Sequence, residues 1–137
     1  MSERVKRICA PLLLIALVVG ARVTSADASQ SALDKAYAGM LYEVGRGNYS
    51  VTQYSQAILS FEQALALYRA MGDQWYEGAS LFYLGLCYDS LGDHPKASDY
   101  YQQASPVFRE LGDRVGEAAS LARKRTEHWV QLVGGWM

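Results

Sequence analysis

The sequence predicts an all-α chain built as a stack of antiparallel helix hairpins, and three observations lead there. The chain repeats itself at a fixed interval: "MGDQWYEGASL" begins at Met71 and "LGDRVGEAASL" at Leu111. Gly72 and Gly112, Asp73 and Asp113, Glu77 and Glu117, and Leu81 and Leu121 therefore stand 40 residues apart, the mark of units that bury their apolar faces by stacking. After residue 30 the apolar residues follow a helical period interrupted only by short corners, with Pro95 and Pro106 as the prolines of that stretch. No run of alternating apolar and polar residues is long enough to suggest a strand.

The first element differs from the rest. Arg4, Lys6 and Arg7 precede the apolar run "ICAPLLLIALVVGA", and the small residues of "VTSADA" follow it, which is the order of a secretory signal. The run from Ile8 to Ala21 is shorter than the ~20 apolar residues a membrane span needs. Residues 1–26 are thus expected to be a signal peptide cleaved near Ala26 or Ala28, the alternatives being an uncleaved anchor over residues 8–21 or a short buried helix. Cleavage leaves a mildly acidic chain with Cys87 as its one cysteine, so an intramolecular disulfide is excluded even at an oxidising destination.

The repeat region is expected over residues 31–133: repeat one at 31–72, repeat two at 73–112 and a capping helix at 113–133. Ser31 and Asp34 have the S-x-x-D spacing of a helix start, which predicts a first helix from about Ala32 to Val44. Gly39, Met40, Leu41, Tyr42 and Glu43 match Gly85, Leu86, Cys87, Tyr88 and Asp89 at an offset of 46. That offset puts six additional residues in "GRGNYSVTQ" and predicts a long connection there. The next helix, "YSQAILSFEQALALYRAMGD", sets Ala57, Phe61 and Ala64 40 residues before Ala97, Tyr101 and Ala104.

The corners themselves are legible. Gly72, Gly92 and Gly112 suit the left-handed residue that closes a helix, and Asp73, Asp93 and Asp113 can cap the next helix by accepting from its free N–H groups. Pro95 falls in a first turn, where its missing N–H costs little. Pro106 lies deeper in its helix and is expected to kink it. Beyond Asp113 the match fades, with Arg123, Lys124 and Arg125 where the preceding unit has Tyr83, Leu84 and Gly85. A polar outer face is what a terminal helix needs.

Within one hairpin, Leu81, Leu84, Gly85 and Tyr88 followed by Ala97, Tyr101 and Ala104 fit the pattern W-x2-L-G-x2-Y … A-x3-F. On these residues the chain resembles a tetratricopeptide repeat protein, with Leu81 where tryptophan is common and a period longer than the usual one. The resemblance implies a right-handed superhelical stack of two such units plus the C-terminal capping helix. It also implies a concave wall made by first-helix side chains that binds an extended peptide or a helix. Carried over by position, the wall contains Leu33, Ala36, Met40 and Glu43, then Ala79, Phe82, Leu86 and Asp89, then Ala119, Ala122, Thr126 and Trp129. The expected site is an apolar groove with an acidic end, with Phe82, Leu86 and Trp129 as anchors for an apolar or amphipathic segment carrying a basic residue. Members that clamp a C-terminal carboxylate use Lys, Arg and Asn on this wall, and Ala36, Met40, Phe82 and Leu86 argue against such a clamp.

Other chemistry is poorly supported. The net charge is −1 with acids and bases interspersed, which lacks the basic stripe nucleic acid requires. Cys87 and His128 lie in no setting that would activate a thiol, His94 and His128 have no neighbouring ligand set for a metal, and no phosphate-binding glycine motif occurs. Catalytic, metal and cofactor residues are expected to be none. The sequence therefore reads as an exported, non-enzymatic interaction module acting on a protein or peptide partner. The alternative is a self-associating structural protomer, because two units and a cap are near the lower limit for a stable stack. Membrane contact is expected only through an uncleaved signal, or weakly where Arg123, Lys124 and Arg125 stand beside Trp129 and Trp136.

Overall fold

The computed structural model describes the backbone of residues 3–135 and the side chains of residues 27–124, 129 and 132–135. The side chains of the expected signal segment, of Thr126 and of His128 lie outside the described residues. Among the described residues five helices follow one another: α1 (Glu3–Ser50), α2 (Tyr54–Met71), α3 (Gln74–Ser90), α4 (His94–Glu110) and α5 (Arg114–Gly134). Among the described residues there is no strand, and no helix is long and apolar enough to cross a membrane. The chain divides into two compact units, Met1–Asp34 and Lys35–Met137. In the first, Ser31 does not start a helix. Gln30 Nε2 donates to Asp34 Oδ1 at 3.0 Å, an i,i+4 contact made inside a helix already under way.

The second unit is the stack, with α2 packed on α3, α3 on α4 and α4 on α5. Its corners are built alike. Gly72, Gly92 and Gly112 have φ of 72°, 83° and 70°, and the residue after each donates its N–H to a carbonyl five residues back: Asp73 to Tyr68, Asp93 to Tyr88 and Asp113 to Phe108, at 2.9–3.0 Å. The aspartates then cap the following helix, Asp73 accepting from the Tyr76 N–H, Asp93 from Lys96 and Asp113 from Gly116. An ion pair recurs across the junctions as well: Arg69 Nε to Glu77 Oε1 at 2.9 Å and Arg109 Nε to Glu117 Oε1 at 2.6 Å. The helix α4 runs on through Pro106 to Glu110.

The structure corrects the expected first hairpin. The helix α1 does not stop near Val44 but continues to Ser50, and the connection to α2 is the three residues Val51–Gln53. This connection is the same corner as the others. Thr52 N–H donates to Tyr49 O and Gln53 N–H to Asn48 O, at 3.1 and 2.8 Å, just as Gly92 donates to Asp89 and Asp93 to Tyr88. Thr52, with φ of 62°, occupies the glycine position, and Gln53 occupies the capping position without making a side-chain cap. The offset between the first helices is therefore 40, not 46.

Packing confirms that register. A Cβ added at Gly85 would lie 2.5 Å from the Tyr101 ring, and one added at Gly45 would lie 2.9 Å from the Phe61 ring. Both rings are fully buried, so each glycine exists to let an aromatic of the partner helix reach the backbone. The core widens from there. Tyr42 meets Phe61, Tyr68, Tyr76 and Tyr83 edge-on at 5.3–6.5 Å, while Phe61 stacks on Tyr83 and Tyr68 on Tyr76. Each such pair contributes about 0.5–1.5 kcal/mol beyond its buried area, and together they fasten α1, α2 and α3 at one point.

Two variants probe these contacts. A threonine held left-handed costs about 1–2 kcal/mol, and a missing N-cap about 1 kcal/mol. Thr52→Gly combined with Gln53→Asp is expected to raise unfolding free energy by about 2 kcal/mol in urea titration. Gly85→Val, which drives a branched side chain into the Tyr101 ring, is expected to lower it by about 2–3 kcal/mol.

Candidate functional site

With α1 and α3 in a 40-residue register, Glu43 is the counterpart of Tyr83, Arg46 of Leu86, Tyr49 of Asp89 and Ser50 of Ser90. A trough lies between the two helices. It is lined by Glu43, Arg46, Gly47, Tyr49, Ser50, Tyr83 and Leu86 and encloses about 500 Å³. Tyr83 is fixed by its stack on Phe61, with ring centroids 5.0 Å apart, and meets Tyr49 edge-on at 6.0 Å. Tyr49 is held in turn by Tyr54 of α2. The polar end is the pair of Arg46 Nη1 and Glu43 Oε1 at 3.1 Å, both side chains exposed. The site is thus a mixed surface of two rings, a leucine and one exposed ion pair.

The residues expected on the wall divide into several groups. Glu43 and Leu86 line the trough. Ala79 is buried in the core, and Phe82 is half-buried with its ring centroid 5.6 Å from that of Tyr101. Met40 lies outside the trough lining, because its counterpart at the 40-residue offset is the buried Ser80, on the face of α3 turned toward α2. Leu33 belongs to the first unit and is exposed there. Ala122 and Trp129 are exposed on α5.

Asp89, expected as the acidic end, is already engaged. His94 Nδ1 lies 2.9 Å from its Oδ1, and Arg123 Nη1 lies 3.7 Å from its Oδ2, so this carboxylate ties the end of α3 to the start of α4 and to α5. Arg46, Tyr49 and Tyr83 were not anticipated. The signal for them was present: Gly45 precedes Phe61 by 16 residues, as Gly85 precedes Tyr101.

These hairpins, their glycine-to-ring contacts and their repeated corners match an established pattern. The family model for the tetratricopeptide repeat covers residues 36–110, more than half of the chain and the whole of both hairpins from Ala36 onward. The chain belongs to the tetratricopeptide repeat family. Comparison with curated proteins gives no match. Tetratricopeptide repeats are typically non-catalytic interaction modules, and α5 continues the stack beyond the matched residues.

Cys87 is fully buried, and burial pushes its thiol up to about 12, so the nucleophilic thiolate is scarcely populated at neutral pH. Among the described residues no three His, Cys, Asp or Glu side chains converge as metal ligands do. Burial likewise raises Tyr42 above the ordinary phenol range and pushes Tyr68 up to about 12.

Two outcomes follow. Cys87 is expected to resist a maleimide reagent at neutral pH in the native protein and to react promptly in denaturant. Raised acid groups stabilise the fold in their neutral forms, so that contribution is complete below the unfolded thiol value and is lost as pH rises. Urea midpoints are expected to be flat through neutrality and to fall progressively above about pH 9.

Proposed function

We propose that the trough between α1 and α3 is the ligand-binding surface of this interaction module. It takes an extended segment of a protein partner, with one apolar side chain between Tyr49, Tyr83 and Leu86 and a neighbouring basic residue that competes with Arg46 for Glu43. The observation that carries the reading is the trough itself: a preorganised cavity whose rings are fixed from beneath by Phe61 and Tyr54. Rigid aromatic sides reduce the ordering cost of binding. Apolar burial gains about 25 cal/mol per Å², and much of the gain from a trough of this size is offset by the cost of association, so binding is weak.

The sequence supplies the remaining parts of the proposal. Arg4, Lys6 and Arg7 ahead of an apolar run support export, to a periplasmic or secreted location, of a scaffold, adaptor or chaperone-like subunit without catalytic activity. The basic residue in the ligand is a weaker feature than the apolar one, since exposed ion pairs contribute little.

Fluorescent peptides with a central Leu or Phe and a flanking Arg, varied systematically, test this directly. The expected best binder has sub-millimolar affinity, loses at least tenfold against Leu86→Asp, and weakens when its Arg is replaced by Glu. A set in which no peptide binds below millimolar, or in which Leu86→Asp changes nothing, would overturn the reading.

A further inference from the structure

Among the described residues the stack turns four corners on one plan, and one of them lacks its fasteners. At the α2/α3, α3/α4 and α4/α5 corners a glycine takes the left-handed position and an aspartate caps the next helix. A polar pair then joins the two helices: Arg69 with Glu77, Asp89 with His94 and Arg109 with Glu117. At the α1/α2 corner Thr52 is the left-handed residue and Gln53 makes no side-chain cap. None of the ion pairs among the described residues spans this corner. A β-branched residue rarely holds that backbone conformation, and segments secured by few contacts are the ones that open locally.

What replaces the missing pair is aromatic. In the 40-residue register Tyr54, Tyr49 and Tyr83 are the counterparts of His94, Asp89 and Arg123. The later triad is polar and joins α4, α3 and α5, with His94 Nδ1 2.9 Å and Arg123 Nη1 3.7 Å from the Asp89 carboxylate. The earlier one is three rings: Tyr49 meets Tyr54 across the corner with centroids 5.6 Å apart, and Tyr83 of α3 at 6.0 Å. Tyr83 rests on Phe61 and so is held independently of the corner. Tyr49 is not, because its own carbonyl accepts the Thr52 N–H that closes the corner. The same Tyr49 lines the trough. One residue therefore belongs both to the weakest corner and to the binding surface.

We propose that Tyr49 couples occupancy of the trough to the order of the α1/α2 corner. The closed corner, with Tyr49 on Tyr54, is the dominant and preorganised state, and the empty trough allows local opening from it. An apolar side chain lodged between Tyr49, Tyr83 and Leu86 packs on Tyr49 only in its closed position. Binding therefore draws on the closed population and holds the corner shut. A ligand that binds one of two states stabilises that state by mass action, including backbone groups it does not touch. Thr52, Gln53 and Tyr54 are not among the residues lining the trough, so they sense its occupant only through Tyr49 and the corner. This inference rests on the trough being the binding surface.

Amide hydrogen exchange of the full chain, read by NMR and corrected for intrinsic rates, tests it with and without a peptide carrying a central Leu and a flanking Arg. In the free chain the N–H groups of Thr52 and Gln53 are expected to be about tenfold or more less protected than those of Gly92 and Asp93. The peptide, at about ten times its Kd, is expected to raise protection at Thr52 and Gln53 about tenfold. Gly112 and Asp113 change by a smaller factor. In Tyr54→Ser, which keeps the trough lining and cuts the link across the corner, the peptide still binds and the rise falls below about threefold. Binding that is sensitive to Leu86→Asp but brings no rise at Thr52 and Gln53, or a rise that survives Tyr54→Ser, would overturn the coupling and leave the trough standing. Equal protection at the two corners of the free chain would overturn it as well. A peptide series in which nothing binds would overturn the trough and the coupling together.

Discussion

The closeness of paired helices at two glycines governs the rest of this structure. At Gly45 and Gly85 the backbone of a first helix lies against the face of an aromatic ring from its second helix, with no room for a Cβ. Interhelical distance is set by the side chains at the crossing, so these two contacts give both hairpins the same spacing and the same relative rotation. The corners, the Arg–Glu junction pairs and the aromatic cluster around Tyr42 then repeat because the units they join are alike. Stacking similar hairpins also leaves the same positions exposed between neighbouring first helices, and that is why the trough occurs where it does.

Much of this is legible in the sequence, for identifiable reasons. Corners that carry Gly and Asp announce themselves, because a left-handed residue and a capping carboxylate each demand a narrow set of side chains. Residues 72, 73, 92, 93, 112 and 113 are therefore readable without coordinates. The corner at 51–53 escapes such a reading because "VTQ" carries neither signal, although its backbone hydrogen bonds repeat those at 91–93. Without that landmark, Gly39 and Tyr42 offer a plausible but false match to Gly85 and Tyr88. The six-residue slip cascades into the site, moving Met40 onto the wall and hiding Arg46 and Tyr49. The spacing from glycine to aromatic corrects it, since that spacing is fixed by which residues touch.

The exposed surfaces fall into two physical types. The trough combines fixed rings with an exposed ion pair, a composition suited to reading a short segment with modest affinity. On α5, Leu121 is exposed where its counterpart on α3, Leu81, is buried. Cys87 and the tyrosines of the core, by contrast, are kept neutral by burial and serve packing alone.

The register of the first hairpin underlies the trough and the family pattern alike. Nuclear Overhauser contacts between glycine α-protons and the Phe61 ring measure it most directly. The structure predicts strong contacts from Gly45 and none from Gly39, whose nearest large neighbour is the Tyr68 hydroxyl. Strong contacts from Gly39 with none from Gly45 would restore the 46-residue offset and contradict the 40-residue register.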